Sequence, residues 1–130
     1  MHGKAFIDGG ARGNPGPAGA GGLIEGPKPV EISKFLGSTT NNVAEYTALI
    51  LLLKEALNHG YTSLEVYTDS ELLARQMQGK YKVKNANLKA LYQEANSLLP
   101  KFKSFTINHV YRENNKEADR LVNEAIDANI

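Results

Sequence analysis

Four carboxylates are the side chains of this protein best suited to act together in chemistry: Asp8, Glu45, Asp69 and Asp119. Each alone has an ordinary explanation. Asp8 and Asp69 directly follow the apolar runs Ala5–Ile7 and Leu64–Thr68, where an aspartate often caps a turn or a helix. Glu45 stands three residues after Asn42, the spacing of a capping box. Counting about 100° per residue, Glu45 lies roughly 90° from the centre of its helix's apolar face, and Asp119 about 110° from the centre of the Ala118/Leu121/Val122/Ala125 face. Both sit at the edge of a buried stripe, where a side chain reaches a cleft or is simply solvated. The set says more than its members. Clustered carboxylates raise one another's pKa unless a cation holds them charged. Oxygen donors without cysteine or paired histidine select Mg2+ or Mn2+ over zinc. Two such ions close together can activate a water and stabilise the leaving oxygen of a phosphodiester. Periodicity alone leaves open whether the four converge.

The elements that must position these acids can be read from hydrophobic spacing. Ala5-Phe6-Ile7 reads as a buried strand ending at Asp8, with Gly9-Gly10 as a turn. Arg12-Gly13-Asn14-Pro15-Gly16-Pro17 reads as a loop. Gly21 to Glu25 and Val30 to Leu36 follow as strands joined across Gly26-Pro27-Lys28-Pro29. Thr39-Thr40-Asn41-Asn42 signals a helix start, with Tyr46, Leu49, Ile50, Leu53 and Leu57 at helical spacing and a stop near Gly60. Leu64 to Thr68 is a strand, and Asp69-Ser70 would cap a helix from Glu71 to about Gln78. Lys80 to Asn87 is a lysine-rich connection, and a helix over Leu88–Leu99 ends before Pro100. Phe105 to Val110 is the fifth strand, and a last helix runs from about Asn115 to Ala128.

The order β-β-β-α-β-α-α-β-α implies an α/β fold over residues 1–130, one domain with a mixed five-stranded sheet and helices packed on it. The first and fourth strands would each deliver an acid at a carboxyl end, where sites form in open α/β sheets.

Bulk properties constrain function less. A net charge of +1 argues only weakly for a polyanionic partner, so a nucleic-acid case rests on particular residues. The absence of cysteine excludes disulfides and thiolate catalysis and suits a reducing compartment. The longest apolar stretch, Ala48 to Leu53, is far too short to span a bilayer, and Met-His-Gly-Lys lacks an apolar signal segment. A cytoplasmic protein without membrane attachment, monomeric, is the expectation.

Four segments carry a resemblance. Asp8-Gly9-Gly10-Ala11-Arg12-Gly13-Asn14-Pro15-Gly16-Pro17-Ala18-Gly19 resembles the first-strand motif of type 1 ribonucleases H, and Thr39-Thr40-Asn41-Asn42-Val43-Ala44-Glu45 resembles that family's helix start. Tyr67-Thr68-Asp69-Ser70 and Arg112-Glu113-Asn114-Asn115-Lys116-Glu117-Ala118-Asp119 resemble its third and fourth motifs, in family order. The resemblance implies a ribonuclease H fold and hydrolysis of the RNA strand of RNA–DNA hybrids by two Mg2+ or Mn2+ ions, leaving a 5′-phosphate and a 3′-hydroxyl. Double-stranded RNA is a second candidate partner. By resemblance, Asp8 would bridge both ions, Glu45 and Asp69 would complete the ion nearer the leaving oxygen, and Asp119 the ion holding the attacking water. Gly9, Gly10, Arg12, Gly13, Asn14, Asn41 and Asn42 would meet the hybrid's minor groove, where 2′-hydroxyls distinguish RNA. Thr40, beside a helix N-terminus, resembles a position that holds a DNA phosphate. As loop and capping residues, the same glycines, asparagines and threonine would have merely structural roles.

The chain also departs from the family pattern. Where many members carry an auxiliary histidine before the last acid, the candidates here are His109, inside the fifth strand, and Arg112, just past it. Arg112 is assigned the role, as a contact to phosphate or product, because an arginine does not serve as a base near neutrality. In place of the basic, tryptophan-bearing protrusion of some bacterial members there is only Lys80-Tyr81-Lys82-Val83-Lys84, and the chain has no tryptophan. Lys80, Lys82 and Lys84 either track a phosphate backbone or form a solvated loop.

Two other readings compete with the hybrid-cutting enzyme. A catalytically inactive hybrid-binding module on the same fold gains nothing from repelling acids beside a polyanion. A hydrolase of small phosphate esters lacks a phosphate-cradling loop.

Overall fold

Alternation fixes the first strand: Gly3, Ala5, Ile7 and Gly9 are buried, while Lys4, Phe6 and Asp8 between them are more accessible. The computed structural model describes residues 1–130. β1 (His2–Ala11), β2 (Gly16–Glu25) and β3 (Val30–Thr39) form an antiparallel meander. β4 (Ser63–Thr68) and β5 (Ser104–His109) add in parallel on the other side of β1, giving the order β3-β2-β1-β4-β5. The helices are α1 (Asn41–Asn58), α2 (Glu71–Met77), α3 (Ala86–Leu98) and α4 (Lys116–Asp127). The architecture is the expected α/β fold with a mixed five-stranded sheet.

Successive residues of β1 face opposite sides of the sheet, and the helices follow. Gly9 looks onto the backbone of α1, whereas Gly10 looks onto Val122 of α4. The core lies between the sheet and α1: Leu49, Leu52 and Leu53 are fully buried, as are Ala5, Ile7 and Val66. α3 covers the back of α1, so α1 is buried beyond the single stripe expected of it. Truncating Leu52 would cost roughly 2–5 kcal/mol on these grounds. No helix is long and apolar enough to cross a membrane.

Several boundaries differ from the sequence expectation. β1 does not end at Asp8 in a Gly-Gly turn. It continues to Ala11 because β2 pairs with it throughout, from Asp8↔Gly21 to Ala11↔Ala18. β2 accordingly starts at Gly16, so Gly16 and Pro17 belong to the strand, not the loop. Its glycines and alanines carry no strand signal of their own; Gly19 and Gly21 lie against α4 and Gly22 against Leu52 of α1. β3 runs to Thr39, beyond Leu36. α1 is capped by Thr40, whose hydroxyl accepts from the Val43 amide at 3.2 Å, so the Asn42/Glu45 capping box does not form and Glu45 is left for other work. α3 begins at Ala86, with Asn85 accepting from the Asn87 and Leu88 amides.

Candidate active site

The parallel ladder places the first two acids. Its last rungs are Ile7↔Thr68 and Thr68↔His109, so Asp8 and Asp69 each stand one residue beyond the same row. Asp69 is followed by Ser70, which caps α2 by accepting from the Leu73 amide at 3.1 Å.

Glycines bring in the other two. A β-carbon on Gly9 would stand 2.3 Å from the carbonyl carbon of Ala44 and 2.4 Å from the Glu45 nitrogen, so α1 lies directly on β1. That contact sets Glu45, buried at 8% exposure, beside Asp8's strand, where Asn41 Nδ2 donates to its Oε1 at 3.1 Å. On the other face, a β-carbon on Gly21 would lie 2.6 Å from the Ala118 carbonyl oxygen and one on Gly19 2.9 Å from that of Val122. These small residues let α4 settle onto β2, and the helix carries Asp119.

All four acids line one open cleft of about 480 Å³, together with Asn41, Ser70, Arg12, Arg112 and Asn123. Burial pushes the Asp8 carboxyl from 3.8 up to about 8, reinforced by the charges of Asp69, Asp119 and Glu45. Burial likewise raises Glu45 from 4.5 to about 7, against hydrogen bonds from Ser70 and Asn41 that pull the other way. Asp69 is raised by burial, opposed by the positive charge of Arg112 and by the Asn115 amide.

No three of these side chains form a ready-made ligand cage. The fit to a divalent cation lies in the chemistry of the donors. They are hard carboxylate oxygens without histidine or cysteine, and near neutrality Asp8 and Glu45 retain protons that a cation would replace. Asn115 ties α4 to β1: its Nδ2 donates to the Ile7 carbonyl at 2.8 Å, while its buried Oδ1 has no hydrogen-bond partner.

The remaining candidates divide between this cleft and a second pocket. Gly9, Gly10 and Arg12 border the acidic cleft, although the missing side chain of Gly9 answers to α1. Arg12 donates to Asp127 and Asn123 on α4. Gly13 has φ of +101°, a conformation that favours glycine. Asn14 and Asn41 tie the β1–β2 loop to α1: Asn14 Oδ1 accepts from the Asn41 amide at 3.1 Å and Asn41 Oδ1 from the Ala11 amide at 3.2 Å. Asn14, Thr40 and Asn42 line a separate pocket of about 430 Å³ with Asn85 and Asn87. The N-terminal ends of α1 and α3 both border it. Lys80, Lys82 and Lys84 are exposed around a buried Val83, and none lines either pocket.

Arg112 sits in a short 3-10 turn, Arg112–Asn114, with Nη2 3.8 Å from Asp119 Oδ1. His109 ends β5 with its ring edge-on to Tyr111 and does not line the cleft. Sequence reasoning missed Asn115, Asn123, Asn85 and Asn87. Only Asn85-Ala86-Asn87 before an apolar helix carried a usable signal, that of a helix cap.

A family model described as reverse transcriptase-like matches residues 6–125. The crystal structure of LC11-RNase H1 in complex with an RNA/DNA hybrid superposes with a TM-score of 0.90 at 44% identity, covering 96% of each chain. The chain belongs to the ribonuclease H family. Among curated ribonuclease H relatives, ribonuclease HI of Halobacterium salinarum is 39% identical over 126 residues, which is 95% of this chain and 63% of that protein. A bifunctional protein of Mycobacterium tuberculosis is 43% identical over 125 residues, 93% of this chain. The chain thus spans about a third (34%) of the mycobacterial relative's length.

Proposed function

We propose that this protein is a type 1 ribonuclease H, an endonuclease that hydrolyses the RNA strand of RNA–DNA hybrids and leaves 5′-phosphate and 3′-hydroxyl ends. The observation that carries the reading is the gathering of Asp8, Glu45, Asp69 and Asp119 from two strand ends and two helices into one cleft. Kinship supports the substrate, since a relative at 44% identity was solved with such a hybrid.

Asp8, Glu45, Asp69 and Asp119 are the residues that would hold two Mg2+ or Mn2+ ions. When bound, such ions supply an activated water and charge stabilisation for the leaving oxygen. The chain's own part is to hold these carboxylates at fixed positions, through Gly9 under α1 and Gly19 and Gly21 under α4. Ser70 and Asn41 orient Glu45, and Asn115 favours the charged form of Asp69. Arg112, past β5 and mostly solvent-exposed, is placed to meet a phosphate or the departing product in the auxiliary role.

The second pocket suits a phosphate of the DNA strand. Helix N-terminal ends favour anions, and Thr40, Asn42 and Asn85 supply polar groups. Asn14, Asn41 and Asn42 would reach the minor groove between the two sites, and Lys80, Lys82 and Lys84 would follow the backbone outside it. The chain reads as a variant that uses this short lysine segment in place of a basic protrusion and Arg112 in place of an auxiliary histidine.

A substrate panel tests the reading. Labelled RNA–DNA hybrid, RNA duplex, DNA duplex and single strands are incubated with the protein in Mg2+ or Mn2+. Cutting confined to RNA paired with DNA is expected. Hybrid binding without cutting would instead identify an inactive binding module.

A further inference from the structure

Asp119, Asn123 and Asp127 recur every four residues along α4 and so share one face of it. Arg12, just beyond β1, lays its guanidinium along that face. Nη1 donates to Asp127 Oδ1 at 2.6 Å, and Nη2 donates to Asn123 Oδ1 at 3.1 Å. Asn123 in turn donates from Nδ2 to the Asp119 carbonyl oxygen at 3.1 Å and to its carboxylate Oδ2 at 3.4 Å.

The chemistry of the three groups makes this a directed chain. An asparagine amide has an accepting end and a donating end of nearly equal size, and turning it over exchanges them. A guanidinium offers donors only, so Arg12 is satisfied only by the amide oxygen. With Oδ1 held by Arg12, the donating nitrogen must face Asp119. Oδ2 of Asp119 is thereby engaged, and Oδ1 is left toward the Arg112 side of the cleft. Without Arg12 the amide could turn, setting a carbonyl oxygen against a carboxylate.

We infer that Arg12 is a positioning residue for the ion-binding carboxylate Asp119, acting through Asn123 with Asp127 as its anchor. This rests on the ribonuclease reading above and replaces the minor-groove contact that resemblance suggested for Arg12. Its two terminal nitrogens are already engaged on the protein. Because Arg12 and Asp127 are both substantially exposed, at 40% and 64%, their ion pair contributes little to folding stability. What its loss changes is the orientation of Asp119, not the stability of the molecule.

The test uses the full chain stripped of ions. Mn2+ binding is measured by titration calorimetry without nucleic acid, and hybrid cleavage in Mg2+ is resolved into kcat and KM. Arg12→Ala should weaken Mn2+ binding and lower kcat by on the order of ten-fold, the usual effect of losing a group that orients a metal ligand. The midpoint of thermal unfolding, KM for the hybrid and the salt dependence of KM should stay as in the wild type.

Asp127→Ala, which leaves the arginine present but unanchored, should act in the same direction. Arg12→Lys should rescue only in part, because an ammonium lacks the planar fork that spans both partners. Adding Arg12→Ala to Asn123→Ala should cost little more than Asn123→Ala alone.

A raised KM and flattened salt dependence for Arg12→Ala, with Mn2+ binding unchanged, would make Arg12 a hybrid contact and overturn the inference. So would an Asp127→Ala protein indistinguishable from the wild type. Failure of the wild type to cut any hybrid counts against the ribonuclease reading instead, and the Mn2+ titration still decides the role of Arg12.

Discussion

Gly9 and Ala44 lie so close that a β-carbon on Gly9 would stand 2.3 Å from the Ala44 carbonyl carbon, a separation at which the backbone must shift. The glycine after Asp8 therefore serves helix packing, and through it the placement of Glu45. Gly9→Ala should destabilise the fold by at least about 2 kcal/mol, as overpacking of a tight contact does. It should also lower activity by moving Glu45 away from Asp8. Urea unfolding and hybrid cleavage on the folded fraction check both effects.

The titration of the cleft predicts a pH-dependent stability in the absence of metal. Asp8 has a pKa of about 8 in the folded protein against 3.8 as the ordinary value, and Glu45 about 7 against 4.5. Between those limits the folded state holds protons that the unfolded chain has released, so stability falls as pH rises. The contribution is fully present below about pH 4 and is lost as pH passes through about 8. With chelator present, the unfolding midpoint should decline from about pH 5 to about pH 8. Asp8→Asn should flatten that decline, and Mg2+ should stabilise the wild type more at the higher pH. A flat profile for the wild type would mean the acids are not mutually confined.

Much of this site was legible in the sequence, and the limits have physical causes. Asp8 and Asp69 follow apolar runs that pair as parallel neighbours, so strand reasoning found both. Glu45 was ambiguous because two residues, Thr40 and Asn42, could each cap the helix; the choice of Thr40 freed the carboxylate. The first half of β2 was missed because a residue such as Gly19 owes its identity to α4, a contact distant in sequence. Asn115 and Asn123 act through particular side-chain hydrogen bonds that hydrophobic spacing does not announce.

Arg112 and His109 are separated by position. Arg112 borders the cleft, whereas the His109 ring packs against Tyr111 at the end of β5. Arg112→Ala should lower turnover roughly ten-fold, as for the loss of one charge-stabilising contact, without changing Mn2+ affinity. His109→Ala should have the smaller effect. Steady-state cleavage by the two variants decides, and a larger loss at His109 would reverse the assignment.

Lys80, Lys82 and Lys84 are exposed around the buried Val83 anchor, so their replacement should leave the fold intact. If they follow the phosphate backbone, the triple alanine variant should bind hybrid more weakly and lose up to about three units from the slope of log affinity against log salt. Binding isotherms across a salt series measure this. An unchanged slope would make the segment an ordinary solvated loop.

The most direct measurement is metal add-back to ion-stripped protein acting on a hybrid with end-labelled RNA. Cleavage should be absent in chelator, should return with Mg2+ or Mn2+, and should fall by on the order of a thousand-fold in a folded Asp8→Asn protein. RNA cut at full rate in chelator, or by that variant, would contradict the assignment of the acidic cleft as the seat of metal-dependent hydrolysis.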